Sequence, residues 1–458
     1  MKKNVIMYLM IIIVTIIFIY AFSLSYKSNN MENIAYITAL GIDLNEDGKN
    51  LKVTFEFIDS SSFSSGESSK SSKPILDNVI APSISSAINM INGYTGKKVN
   101  LAHCKVIIFS EDMAKKGILS EVTDLMNNIQ VRPTTNLIVS KCTAVEYIQQ
   151  SVSKLEKVLT KYYDIFVNSS EYTGYTSDVT IGEFYNYLLN DDCGNLAILG
   201  GLNKEALPEP SNSSEQAASD SSSSSKSSES SSGSKSSGNS AEDKNLNEQD
   251  ILSEKEAEME VKENKNEIST DTIVAGNSPI IGQRGTENIG LAVFNKDKYI
   301  GDLTATETLC HTLIAGEVNS SLITIKDKDD NNIDVELIEN TQPKIEVDLS
   351  GENPIITIYI KVDGTIVGMN KLNGNLPKKD LREFSKLVDE YLQSKISEFL
   401  NKTISEYKCD INGFYKYAKH EFKTIPEWKQ FNWSERYLKS KFNIYVDSKV
   451  YGTILNSD

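Results

Sequence analysis

Histidine is scarce in this 458-residue chain: there are three, His103, His311 and His420, and none has a second ligand at metal-binding spacing. Cysteine is almost as thin. Cys104, Cys142, Cys193, Cys310 and Cys409 are odd in number, far apart and never spaced C-x-x-C, which argues against a disulfide framework or a zinc site. They read as small buried hydrophobes, with one long-range disulfide as the alternative. The chain also lacks G-x-S-x-G, H-E-x-x-H and P-loop motifs. His103 sits beside Cys104, but adjacent strand residues point to opposite faces, which argues against a nucleophilic pair. Positive charge is in deficit: 47 Lys and Arg against 63 Asp and Glu leave a net charge of -16. Nucleic-acid binding needs clustered Lys and Arg on phosphates, so no nucleic-acid partner is expected. The same charge argues against peripheral adhesion of the chain to anionic lipid, so any membrane attachment must be hydrophobic. No catalytic, cofactor-binding or metal-ligating residue emerges, no cofactor is expected, and the chain is not expected to be an enzyme.

Apolar residues make up 39% of the chain, below the globular average, and a serine-rich region carries much of the deficit. One apolar run stands out against this background, Val5 to Leu24, behind Lys2 and Lys3. About 20 such residues at roughly 1.5 Å each cross a hydrocarbon core of about 30 Å. The lysines keep the short N-terminus cytoplasmic and the rest outside. A cleaved secretory signal, ending near Ala21-Phe22-Ser23, is the alternative, although its apolar core normally has only about 7–15 residues. No other run approaches this length, so a single crossing is expected.

Residues 1–30 therefore read as anchor and spacer, followed by a first α/β domain over 31–150. Ile34–Ile42 reads as a buried strand and Leu51–Phe57 as its partner, joined through Asp47-Gly48, a strong hairpin signal. Ser60–Ser72 reads as a loop. Ile80, Ile84, Ile88 and Ile91 share one helical face, Lys105–Phe109 is a short strand, and Asp112–Asn127 is one helix with Ser110 as N-cap. Asn136–Ser140 is a strand and Ala144–Ser151 a helix. A middle domain, mainly helical over 152–202, takes 151–202 plus 273–318, interrupted by a Ser/Glu-rich insertion over 203–272. The insertion cannot bury enough apolar surface to offset its ordering entropy. Gly290–Gly301 reads as strand, tight turn, strand, and Thr304–Ala315 as a helix.

A C-terminal α+β domain fills 319–458, with strands at Leu322–Ile325, Val335–Ile338, Lys344–Leu349 and Ile355–Val362. A long amphipathic helix follows over Lys378–Tyr407, and Ile444–Val450 is a closing strand. The fold class is thus α/β and α+β: multidomain mixed sheets with packed helices, preceded by one N-terminal transmembrane helix. Two segments imitate calcium loops. Asp43-x-Asn45-x-Asp47-Gly48 has Thr54 at its twelfth position, where a bidentate Glu is required. Asp327-x-Asp329-x-Asn331 lacks both the Gly and the Glu. Both read as turns.

Several segments resemble the Ger(x)C family, the C subunits of spore germinant receptors. Ile34–Asp43 is similar to the family's first strand, ending in Gly41-Ile42-Asp43. Val131-Arg132-Pro133-Thr134-Thr135 resembles its R-P pair before a strand. Gly290-Leu291-Ala292-Val293-Phe294, through Gly301-Asp302-Leu303 to Glu307-Thr308, resembles its G-x-A-V-F…G…L…E-T segment. Cys409-Asp410-Ile411-Asn412-Gly413-Phe414, with Trp428-Lys429 and Asn432-Trp433, resembles its D-x-x-G-F…W…W end. Members are typically lipoproteins with a lipobox cysteine; here no cysteine precedes Cys104, so the Val5–Leu24 helix takes that role, and a spanning helix holds far more firmly than one acyl chain. The resemblance implies three α/β domains, no catalytic activity, and a place beside the germinant receptor A and B membrane subunits in the spore inner membrane. A non-catalytic subunit supporting assembly and signalling in germination is the expectation. An anchored enzyme acting on the cell wall, or a solute-binding protein with a deep cleft, are the alternatives.

Overall fold

The computed structural model describes residues 2–25, 33–58, 75–151, 159–167, 169–204, 269–282, 284–369 and 378–452. The serine loop 60–72, the spacer 26–30 and most of the insertion, residues 205–268, lie outside them. The first element is α1 (Lys2–Ser25), a 24-residue helix. Its described side chains, including Ile11–Val14 and Ile16–Tyr20, are exposed. Among the described residues, no helix is both long and apolar enough to cross a membrane; the side chains of α1 are described only in part, at Met7, Tyr8 and Met10–Tyr20.

β1 (Ile34–Leu44) and β2 (Leu51–Phe57) form the expected hairpin, with Leu44 opposite Leu51. Asp47 closes its turn by accepting the backbone N–H groups of Lys49 and Asn50, both at 2.8 Å. Then come β3 (Ile75–Ala81), α2 (Ile84–Thr95), β4 (Lys98–Asn100), β5 (Val106–Ser110), α3 (Glu111–Lys116) and α4 (Leu119–Asn127). After them run β6 (Asn136–Ser140), α5 (Ala144–Gln150), α6 (Leu159–Val167), α7 (Ser170–Thr173), α8 (Ile181–Leu188) and β7 (Asn195–Leu202).

Three expectations are corrected here. Ile80 belongs to β3, not to the helix, because Pro82 holds Ala81 extended and Ser83 starts α2 by accepting the N–H of Ser86. The helix expected over Asp112–Asn127 is two, broken at Gly117, whose φ of 114° no helix continues; Ser110 holds the N-cap position without a side-chain cap bond. The stretch ending at Leu202 closes in a strand, β7. Seven of its eight residues are buried, so it shows none of the alternation that marks a half-exposed strand.

β8 (Thr286–Asn295), β9 (Lys298–Leu303) and α9 (Ala305–Ala315) follow. The described residues on this side begin at Ser269, where Asp271 pairs with Lys395 at 2.9 Å and Thr306 bonds Thr270 at 3.0 Å. The last block holds β10 (Ser321–Lys326), β11 (Asn332–Ile338), β12 (Lys344–Asp348) and β13 (Ile355–Met369). It ends in α10 (Lys378–Lys402), extended by a π-turn over Thr403–Tyr407, then α11 (Tyr415–Lys419), α12 (Ile425–Phe431), α13 (Trp433–Tyr437) and β14 (Lys441–Tyr451).

Among the described residues the strands form two mixed sheets. The first has nine, in the order β3-β2-β1-β5-β6-β7-β8-β9 with β4 beside β1. It runs across residue 150, since β6 pairs with β7 in parallel. Alternate residues serve opposite faces. Leu40, Ile42, Ile107 and Phe109 pack against α2, α3, α4 and α8, while Ala39, Val106 and Ile108 meet Ala144, Tyr147 and Ile148 of α5 and Tyr162 and Tyr163 of α6. The second sheet has five strands, and the inner face of β13, Ile356 to Ile366, packs on Val388, Leu392, Ile396 and Phe399 of α10. α9 is buried almost all round, because its other sides close a core shared with Leu291, Val293 and Leu303 of the first sheet.

Candidate functional site

Each motif quoted above has a structural task. Gly41 lies under α5: a Cβ there would stand 2.9 Å from Ile148 Cδ1 and 3.1 Å from Ala144 Cβ. Asp43, two residues on, is only 4% exposed and accepts the first two N–H groups of that helix, Ala144 at 2.7 Å and Val145 at 3.2 Å. It is turned away from Asp47, so the first calcium-like string is split between a helix N-terminus and a hairpin turn. The second folds as a turn in which Asp327 accepts the N–H groups of Asp329 and Asn331 at 2.8 and 2.9 Å. Pro133 offers its carbonyl to Gly182, the start of α8, at 2.9 Å. Glu307 caps α9 through Thr304 and pairs with Lys402 at 2.8 Å, tying α9 to α10.

The C-terminal motif builds the seam between the two sheets. Asp410 is buried and accepts the N–H of Tyr415 at 2.8 Å and the indole N–H of Trp433 at 3.1 Å, while its second oxygen has no partner. Burial pushes its carboxyl up to about 6. Gly413 takes a φ of 72°, which lets the loop turn back onto that carboxylate. The loop between α8 and β7 docks on this platform. Gly194 donates to the Asp410 carbonyl at 3.0 Å, Trp428 Nε1 to Asp192 Oδ2 at 2.6 Å, and Ser434 Oγ to the Asp191 carbonyl at 2.9 Å. Lys416 donates to Tyr187 OH at 2.8 Å and also lies over that ring. Beneath the platform, Trp428, Trp433, Tyr437 and Phe414 form a chain of ring contacts.

Beside the seam opens a cleft of about 250 Å³, lined by Asp178, Glu183 and Tyr187 from one side and His311, Glu317 and Asn412 from the other. His311 Nδ1 lies 2.8 Å from Asn412 Oδ1, and burial pushes its imidazole below the usual value, which favours the neutral ring. Burial likewise raises the Asp178 carboxyl, against the hydrogen bond from Asn136. Cys193 lines the cleft, and burial pushes its thiol up to about 12, with Cys409 at the same level; a protonated thiol is a weak nucleophile. Among the described residues, no group of three His, Cys, Asp or Glu side chains could hold a metal ion. His103 is exposed with its ring against Tyr36, while Cys104 is buried and donates to the Val106 carbonyl, so the two do face apart. His420 is exposed. What this region offers chemically is a polar, hydrogen-bonded contact between two packed units. Reading single residues did not reach that seam, because Asp192 and Trp428 meet across 236 positions of sequence.

Two family models match the chain. Residues 27–200 match the spore germination protein N-terminal domain, and residues 289–453 match the C-terminal model described as spore germination B3/GerAC like. No curated protein matches it in sequence. The crystal structure of the GerBC protein aligns with a TM-score of 0.48 at 16% identity, over 90% of this chain and 96% of that one.

Proposed function

The chain belongs to the Ger(x)C family of spore germination proteins, and from that premise we propose a tethered interaction subunit that works beside the A and B membrane subunits of a germinant receptor. The observation that carries this reading is the order and reach of the two family matches, residues 27–200 and 289–453. They flank the insertion and contain both sides of the seam. α1, with its apolar side chains turned outward, supports retention in the spore inner membrane with the folded sheets on the extracytoplasmic side. A tether of that kind raises the effective concentration of those sheets toward partners in the same membrane. The contacts of Asp410, Trp428 and Trp433 hold the two sheets in one orientation, so that they meet such partners as one surface. Catalysis forms no part of the proposal.

Spores lacking this protein should lose most of their germination response to the nutrient their receptor recognises, with vegetative growth unchanged. Affinity purification of the full chain from detergent-solubilised spore membranes should bring both membrane subunits with it. Normal germination of the deletion strain would overturn the proposal, and altered wall turnover in growing cells would bring the enzyme reading forward.

A further inference from the structure

One end of the nine-stranded sheet gathers exposed apolar and basic side chains. β1 starts there at Ile34, and only residues 26–33 separate it from the end of α1. At roughly 3.3–3.6 Å per residue that segment spans about 30 Å at the very most, so this end of the sheet stays close to whatever holds the helix. β4 lies parallel to the start of β1 with Lys98 opposite Ile34. α2 ends just before it, and the bond from Val99 N to Asn92 Oδ1, 2.7 Å, ties the helix end to the strand. The loop from α4 to β6 closes on the same end, since Gln130 Oε1 accepts the N–H of Leu101 at 3.2 Å and Thr135 Oγ1 donates to the Cys104 carbonyl at 3.2 Å.

Ile129 in that loop is 100% exposed and Tyr94 at the end of α2 is 79% exposed. Ile75, which opens β3 opposite Phe57, is half-exposed. Lys97, Lys98 and Arg132 stand out among them, and among the described residues none of the three makes an ion pair. Asp178 and Glu183, on the segment packed against Pro133, are already engaged with Asn136 and Thr180. Single exposed apolar residues need no explanation. What distinguishes this group is its mixture of apolar and unpaired basic side chains, in a chain of net charge -16, at the one end where the apolar helix joins.

We propose that this end of the first sheet rests on the bilayer that holds α1. Tyr94 enters the headgroup layer, where amphipathic rings settle, Ile129 buries its aliphatic side chain beside it, and Lys97, Lys98 and Arg132 meet anionic lipid headgroups. The acidic remainder of the chain is repelled by the same surface, so the contact sets an orientation as well as a distance. The inference depends on the anchoring reading of α1, and the test separates the two. The full chain is reconstituted into phosphatidylcholine vesicles with and without phosphatidylglycerol, carrying either Ile129→Trp or, at the opposite end of β1, Lys49→Trp. Emission is read against the parent chain, which has two tryptophans, using brominated lipid as quencher. Quenching of the added signal several-fold greater for Ile129→Trp than for Lys49→Trp is expected, strengthened by phosphatidylglycerol and reduced by the triple change Lys97→Glu, Lys98→Glu, Arg132→Glu. A chain that floats with the vesicles but shows equal quenching at the two positions overturns the inference while the anchor stands. A chain that does not float overturns the anchor, and this surface with it.

Discussion

Glu56 is a carboxyl group with no room for its charge. It is the next-to-last residue of β2, fully buried, with Thr38 Oγ1 at 2.6 Å from one oxygen and no partner for the other. Burial lifts it from 4.5 to about 7. The folded chain therefore keeps a proton that the unfolded chain has released, so this contribution to stability is full below about pH 4.5 and is lost as pH rises through 7. The shift corresponds to about 3 kcal/mol. Glu56→Gln keeps the acceptor for Thr38 and removes the ionisation, so it should melt higher than the parent at pH 8 and about equally at pH 4.5, by calorimetry across that range. A parent whose stability is flat from pH 5 to 8 would refute the assignment. Gly41 makes a second test at this scale. Its Cβ would collide with Ile148 and Ala144, so Gly41→Ala should cost about 1–3 kcal/mol, read from the urea midpoint.

Among the elements, α5 shows how a helix can be held from both sides of its N-terminus. Thr143 and Glu146 close a capping box from within, and Asp43 reaches the first two amides from β1. Acidic groups there also oppose the helix dipole. Asp43→Ala leaves two buried amides short of an acceptor and should cost about 1–3 kcal/mol, with faster hydrogen exchange confined at first to residues 144–150. The seam behaves as an element of its own. Trp428→Phe keeps the ring contacts with Trp433 and Phe431 and removes only the bond to Asp192. The expected result is a small stability change with a clear rise in hydrogen exchange over 189–194, and unchanged exchange there would show that the docked loop does not depend on the indole bond.

For the whole molecule, the two flanks of the insertion are pinned close together. Asn203 donates to the Gly285 carbonyl, and Gly201 packs against Gly276. Loop closure costs grow only slowly with length, so replacing residues 205–268 by a brief Gly/Ser linker should leave the melting temperature nearly unchanged. A large drop with loss of secondary structure would mean that the segment is packed. The same geometry explains why the first sheet is continuous across the insertion, since β7 and β8, on either side of it, are neighbouring strands in that sheet.

The sequence by itself determined the elements whose signals are local. The β1–β2 hairpin follows from Asp47-Gly48 and α10 from its apolar stripe, because turn chemistry and periodicity act over a few residues. The family, too, was legible in short motifs, though their purpose was not. Only the tertiary structure decided that Gly41 makes room for α5, that Asp43 serves a helix a hundred positions away, and that Trp428 and Trp433, both buried in the second core, also hold the seam through their indole N–H groups. Where local and distant demands conflicted, the distant one won. Gly117 breaks a helix whose apolar spacing would have continued, just where the next amide, Ile118, bonds the Asp297 carbonyl in the β8–β9 turn, and β7 gives up alternation because both of its faces are covered. Such contacts pair residues far apart in the chain, and no local pattern carries the information about which partners burial will bring together.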